Sequence, residues 1–140
     1  MEQFKKAIEL ESYPAAIKGL SKAYNKLGLK FQNGDGIPQN YEKAMSYYLK
    51  GAELNYHYSI ANVGYLYEKG LGVKLDNEEA KKWYRLAAEN GNARGQYNLG
   101  ALYDNERNYS EALKWYRLAA SQSYENAIKR IKVLKHSGIK

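Results

Sequence analysis

Trp83-Tyr84-Arg85-Leu86-Ala87-Ala88 returns without a change as Trp115-Tyr116-Arg117-Leu118-Ala119-Ala120. A looser copy stands upstream as Tyr47-Tyr48-Leu49-Lys50-Gly51-Ala52. A second mark precedes each copy: Leu27-Gly28, Val63-Gly64 and Leu99-Gly100, with the glycines at a constant step of 36 residues. Self-similarity at such a step is the signature of a helical repeat array, in which each unit buries its apolar face on its neighbours. A chain of 140 residues holds three such units plus end pieces.

Apolar residues at three- and four-residue steps place helices over about 14–33, 41–54, 56–69, 77–90, 93–105, 108–121 and 124–136. A short helix over 2–11, with Phe4, Ala7 and Ile8 on one side, precedes them. The turn signals agree. Pro14 suits a first helical turn. Asn33-Gly34-Asp35-Gly36 and Gly70-Leu71-Gly72 stop two helices. Asn40, Asp76 and Asn108 sit at N-cap positions, and Glu79 is placed to close a capping box with Asp76. Gly91 ends a helix as a left-handed residue does. The first helix of each repeat is called A and the second B.

A glycine inside a helix costs about 1 kcal/mol against alanine, so Gly28, Gly64 and Gly100 imply a repeated benefit. Close approach of the B helix is that benefit, with Ala44, Ala80 and Ala112 as the matching small residues. Trp83, Tyr84, Trp115 and Tyr116 then fill the wedge between one pair and the next. At the last helix the equivalent of Gly100 is Lys132, as a solubilising end cap requires.

These motifs resemble the Sel-one-like repeat (SLR) family, relatives of the tetratricopeptide (TPR) repeats. Repeat two carries the pattern nearly throughout, in Val63-Gly64-Tyr65-Leu66-Tyr67, Gly70-Leu71-Gly72-Val73, Asp76, Ala80, Trp83-Tyr84 and Ala87-Ala88. Repeat one departs at Lys30, Phe31 and Tyr47. Repeat three lacks the Gly-x-Gly turn. The expected fold is all-α, an α-α superhelix: an N-terminal helical segment (1–19), repeats at 20–55, 56–91 and 92–123, and a capping helix and tail (124–140).

Little in the sequence speaks for catalysis. His57 and His136 stand far apart with no ligand at helical spacing, so no metal and no cofactor are expected. The Gly-x-Gly stretches lack the strand and the lysine-serine or lysine-threonine pair of a phosphate loop. There is no cysteine, which excludes a disulfide framework or thiolate metal site and agrees with a cytoplasmic protein. No apolar run reaches the roughly 18 residues of a membrane span, and the first ten residues do not read as a secretory signal. The net charge is +7, and 15 of the 140 residues are tyrosine. That balance favours acidic partners, and tyrosine suits both core and interface.

The resemblance implies that A helices line a concave groove. Its candidate side chains are Lys22, Asn25 and Lys26 from repeat one, Tyr58, Asn62, Tyr65 and Lys69 from repeat two, and Arg94, Tyr97 and Asn98 from repeat three. In peptide-binding TPR proteins an asparagine at the place of Asn62 and Asn98 bonds a peptide backbone; alternatively, these amides bond only neighbouring helix backbone. Lys18, Lys22, Lys26 and Lys30 make a basic ridge at four-residue steps. The reading is a non-enzymatic protein-interaction module for a protein or peptide with an acidic segment. A narrower form is a bacterial adaptor or an immunity protein against a cognate effector. The family resemblance admits a second reading, a hydrolase of the β-lactamase-like type, against which the missing cysteines count. A third is a helical-repeat RNA binder, for which no repeated base-reading set is visible.

Overall fold

The computed structural model describes residues 13–140. The helix expected over residues 2–11 lies outside them. Seven helices and no strand occur among the described residues: α1 (Pro14–Asn33), α2 (Tyr41–Glu53), α3 (His57–Lys69), α4 (Asn77–Glu89), α5 (Ala93–Asn105), α6 (Tyr109–Ser121) and α7 (Glu125–His136). Consecutive helices pack as hairpins, α1 with α2, α3 with α4 and α5 with α6, and each hairpin leans on the next. The A helices are α1, α3 and α5, and α7 repeats their pattern without a B partner.

The boundaries follow from local chemistry. Asn40, Asp76, Asn92 and Asn108 accept from the backbone N–H three residues on, at 3.0, 3.0, 2.7 and 3.4 Å. These bonds satisfy donors that a helix start would otherwise leave unpaired. The capping box is only half made, because the Glu79 carboxylate accepts instead from Trp83 Nε1 at 3.2 Å. Gly34 and Gly70 end A helices in the left-handed region, and Gly91 takes φ 86° in a B-to-A turn. Asn55 and Ser123 occupy the same turn position as Gly91 with φ 57° and 63°. Repeat three, lacking Gly-x-Gly, turns at Arg107 with φ 62°.

The repeated glycine is explained by a ring rather than by an alanine. A Cβ on Gly64 would stand 2.7 Å from Tyr84 Cδ1, and one on Gly100 would stand 2.9 Å from Tyr116 Cδ1; Gly28 is covered by Tyr48 in the same way. Ala44, Ala80 and Ala112 are fully buried beside these rings. Tyrosine and tryptophan therefore divide the work. The tyrosine closes its own hairpin over the glycine. The tryptophan reaches the preceding one, Trp115 packing with the cluster of Ala80, Tyr84 and Ala88, and Trp83 with the cluster of Ala44, Met45 and Tyr48.

Between hairpins the contact is also built from small residues. Gly51 meets Ser59, Ala87 meets Gly95 with 2.9 Å from a would-be Cβ, and the last junction uses Ala119 and Ala127. Lys132 stands exposed where Gly100 lay in the previous repeat, while Ala127 and Leu134 bury the inner flank of α7. Gly19 has none of these contacts, with nothing within 4 Å of a would-be Cβ in the middle of α1. Gly19→Ala is accordingly expected to stabilise the protein by about 0.5–1 kcal/mol, read as a raised thermal midpoint.

Candidate functional site

Side-chain hydrogen bonds tie the A helices to one another. Asn25 Oδ1 accepts from Ser59 Oγ at 3.1 Å and from Asn62 Nδ2 at 2.8 Å. Asn62 Oδ1 in turn accepts from Arg94 Nη2. A chain of amides thus runs from α1 through α3 and ends on the guanidinium of α5. Asn62 is 4% exposed and both ends of its amide are engaged, by side chains rather than by backbone.

Arg94 opens onto a hollow of about 520 Å³ walled by His57, Tyr58, Asn92, Gln122 and Tyr124. Its position is set from below by Asn62. The walls are set by neighbours: His57 and Tyr58 rings lie 4.3 Å apart, and Tyr124 leans on Tyr97 at 5.2 Å. Asn92 Nδ2 donates to His57 Nδ1 at 3.0 Å, and burial holds the imidazole below its usual value. Gln122 Nε2 donates to Gly91 O and Gln96 Oε1 at 2.8 and 3.0 Å. The arrangement offers one cation with open donor positions between aromatic walls.

The expected groove residues separate into three groups. Tyr58 and Arg94 line this hollow, and Asn62 and Asn25 are linked to Arg94 by hydrogen bonds behind it. Tyr65 and Tyr97 are half-buried and pack into the core, Tyr97 against Tyr116 at 5.5 Å. Asn98 is half-buried near Tyr84, and Lys69 stands exposed 3.7 Å from Glu68. Lys22 and Lys26 are exposed on α1, and Lys26 lines a different hollow with Ala23, Leu27 and Lys30. Sequence reasoning weighed His57 only as a metal ligand and did not place it, Asn92, Gln122 or Tyr124 at the groove. A signal was present, since Tyr56, Asn92 and Tyr124 hold one repeat position just before each A helix.

A second row also escaped notice. The tyrosines on the glycines donate from their hydroxyls to Gln32 Oε1 (2.6 Å), Glu68 Oε2 (3.4 Å) and Asp104 Oδ2 (2.8 Å), acceptors 36 residues apart. At the third, Arg130 forks onto Asp104 with 2.6 and 2.9 Å bonds, whereas at the second Lys69 Nζ stands 3.7 Å from Glu68 without a hydrogen bond.

Among the described residues no three His, Cys, Asp or Glu side chains cluster as metal ligands, and no helix is long and apolar enough to cross a membrane. A Ser-x-x-Lys spelling, found in serine β-lactamases, occurs once, at Ser137-Gly138-Ile139-Lys140. It lies past the last helix, with the Ser137 hydroxyl donating to Val133 O at 3.1 Å.

Stacked helix hairpins, each packed on the next, define an α-solenoid of the Sel-one-like type. Residues 21–56, 57–92 and 93–124 each match the Sel1 repeat, and the chain belongs to that family. It is 40% identical over 90 residues to the ERAD-associated E3 ubiquitin-protein ligase component HRD3B of Arabidopsis thaliana, covering 63% of this chain and 14% of HRD3B. Among solved structures, the Escherichia coli protective antigen c5321, which displays an SLR fold, superposes with a TM-score of 0.82 at 36% identity. That match covers 89% of this chain and 28% of c5321. The Sel1 repeat protein of Oxalobacter formigenes superposes at 0.79 with 28% identity, over 86% of this chain and 51% of that one. The chain thus spans only a minor part of HRD3B and c5321.

Proposed function

We propose that this chain is a non-enzymatic interaction module that holds a protein or peptide segment on its A-helix layer, with an acidic residue of that segment seated at Arg94. Sel1-repeat proteins are generally protein-interaction modules, which supports the broad reading. The observation that carries the specific one is the state of Arg94. Its described partner is a neutral amide, Asn62, and no carboxylate of the described residues pairs with it. Arg130 shows the contrast, since Asp104 answers its charge. A guanidinium held by an amide keeps its attraction for a carboxylate and is already oriented to receive one.

Tyr58, 52% exposed, and Tyr124 supply ring area beside that charge. Lys22 and Lys69 add positive potential along the same layer, which speeds encounter with an acidic segment more than it strengthens the complex. Photo-crosslinking from position 58 in native lysate identifies the partner. Titration of that partner with Arg94→Glu is then expected to show binding weakened at least tenfold, a loss of about 1.5–3 kcal/mol for a hydrogen bond to a charged group. Leu86→Ala, on an exposed residue of the B layer, should leave binding unchanged. Wild-type affinity in Arg94→Glu would end this reading.

A further inference from the structure

The A helices α3 and α5 each have a B helix of the preceding repeat lying across one flank. On that flank α3 presents Ser59, Val63 and Leu66, all fully buried, and α5 presents Gly95, Leu99 and Leu102. The covering helices use one pattern. In α2 it is Ala44, Tyr48 and Gly51; in α4 it is Ala80, Tyr84 and Ala87. Small residues seven apart, with a tyrosine between them, let one helix lie close along another.

The corresponding flank of α1 is Ala23, Leu27 and Lys30, with Lys26 beside them. These residues are exposed, Leu27 at 37%, and they line a shallow hollow of about 260 Å³. The small residue and the central aliphatic of the stacking face are retained. The surroundings have changed: Lys26 and Lys30 stand where α3 has Asn62 and Leu66. A helix seated here must bring carboxylates to the two ammonium groups and a small-residue seam to Ala23 and Leu27.

We propose that this exposed flank of α1 docks an amphipathic helix of another protein, one with a small-residue seam flanked by acidic residues, in the geometry by which α2 covers α3. Charge decides against a second copy of this chain. The protein is basic overall, and the open flank of α7 carries Lys129, Lys132 and Lys135. Like charges brought together across an interface cost several kcal/mol. The surface is separate from the Arg94 hollow and does not depend on it.

The test uses the full chain and two synthetic helical peptides. Both have alanines seven apart with a tyrosine between; one has glutamates on both flanks and the other lysines. The glutamate peptide is expected to bind, with amide shifts gathered over residues 23–30, and the lysine peptide is not. Leu27→Glu should abolish binding. The Lys26→Glu/Lys30→Glu double variant should reverse the preference by at least about tenfold. In Arg94→Glu the peptide-induced shifts over residues 23–30 should persist at wild-type affinity, which separates this face from the groove. Unchanged thermal midpoints confirm that the variants fold. The proposal is overturned if Leu27→Glu binds like wild type, or if the shifts gather around Tyr58 and Arg94. It also falls if the chain self-associates through residues 23–30, or if the peptide binds only after residues 1–12 are removed. Single-stranded RNA that binds the wild type and is lost equally in Leu27→Glu would assign the face to nucleic acid instead.

Discussion

Tyr84→Ala is expected to destabilise the protein by about 3–5 kcal/mol, the usual range for removing a buried aromatic ring. Tyr84 is fully buried at the centre of the array. Its ring lies on Gly64 within its own hairpin and packs with Leu99, Leu102 and Trp115 of the next. Burial, aided by the nearby Glu68 carboxylate, pushes its hydroxyl well above the usual tyrosine value, so the group stays a neutral donor to Glu68. Because hairpins in an array depend on their neighbours, the cavity weakens two junctions at once. Gly64→Ala tests the cause. Overpacking against the ring costs about 1–3 kcal/mol and outweighs the roughly 1 kcal/mol of helix propensity gained. In the Tyr84→Ala background the same change should become stabilising, as Gly19→Ala is. Urea denaturation of the four proteins of this cycle gives the coupling directly. If Gly64→Ala stabilises the wild type, the ring is not what selects glycine there.

That cycle also marks how far the amino-acid sequence could be read. The step of 36 and the 3.6-residue periodicity identify helix pairs, because burying a face is obligatory and leaves a regular trace. The helix limits were legible for the same reason: Asn40, Asp76 and Asn108 are caps by chemistry. The partner of Gly64 was not. Ala80 and Tyr84 both recur with the glycine, and periodicity cannot say which of two recurring residues lies over it. The acceptors Gln32, Glu68 and Asp104 were hidden differently, since a hydroxyl accepts any oxygen as partner and the position conserves geometry without conserving a residue type. The groove reading suffered from the reverse problem. Asn62 is an amide at a site where the family resemblance suggests a peptide clamp, yet a neighbouring helix offers Asn25 and Arg94 within reach. Lys26 was placed by the family resemblance together with helical phase. Phase fixes a direction around α1, but whether a B helix covers that direction depends on the element in front of it.

Arg130→Ala is expected to cost about 2–3 kcal/mol, less than the loss of a fully buried pair because the Arg130 side chain is itself 39% exposed. The penalty falls on what remains. Asp104, its side chain only 7% exposed, would keep the Tyr116 hydroxyl at 2.8 Å and lose both guanidinium bonds. In the wild type those bonds from Arg130 hold the Asp104 carboxyl below its ordinary value; the Tyr116 hydroxyl adds to this and burial opposes it. A depressed folded value means stability that is complete above the ordinary carboxyl range and disappears as pH falls through the folded value. The gap between wild type and Arg130→Ala should therefore be constant from about pH 5 to 8, narrow as pH falls below about 4, and close only below the depressed folded value, where Asp104 is protonated in both. Arg130→Lys should restore only part of the loss, since an ammonium cannot fork onto both oxygens. Denaturation midpoints at pH 7 and pH 3 are sufficient, and an equal gap at both would show that the pair is incidental. This ion pair, with the burial of Ala127 and Leu134, fastens α7 to α5 and α6. The variant should accordingly lose amide-exchange protection first over residues 128–132, before the hairpins behind it open.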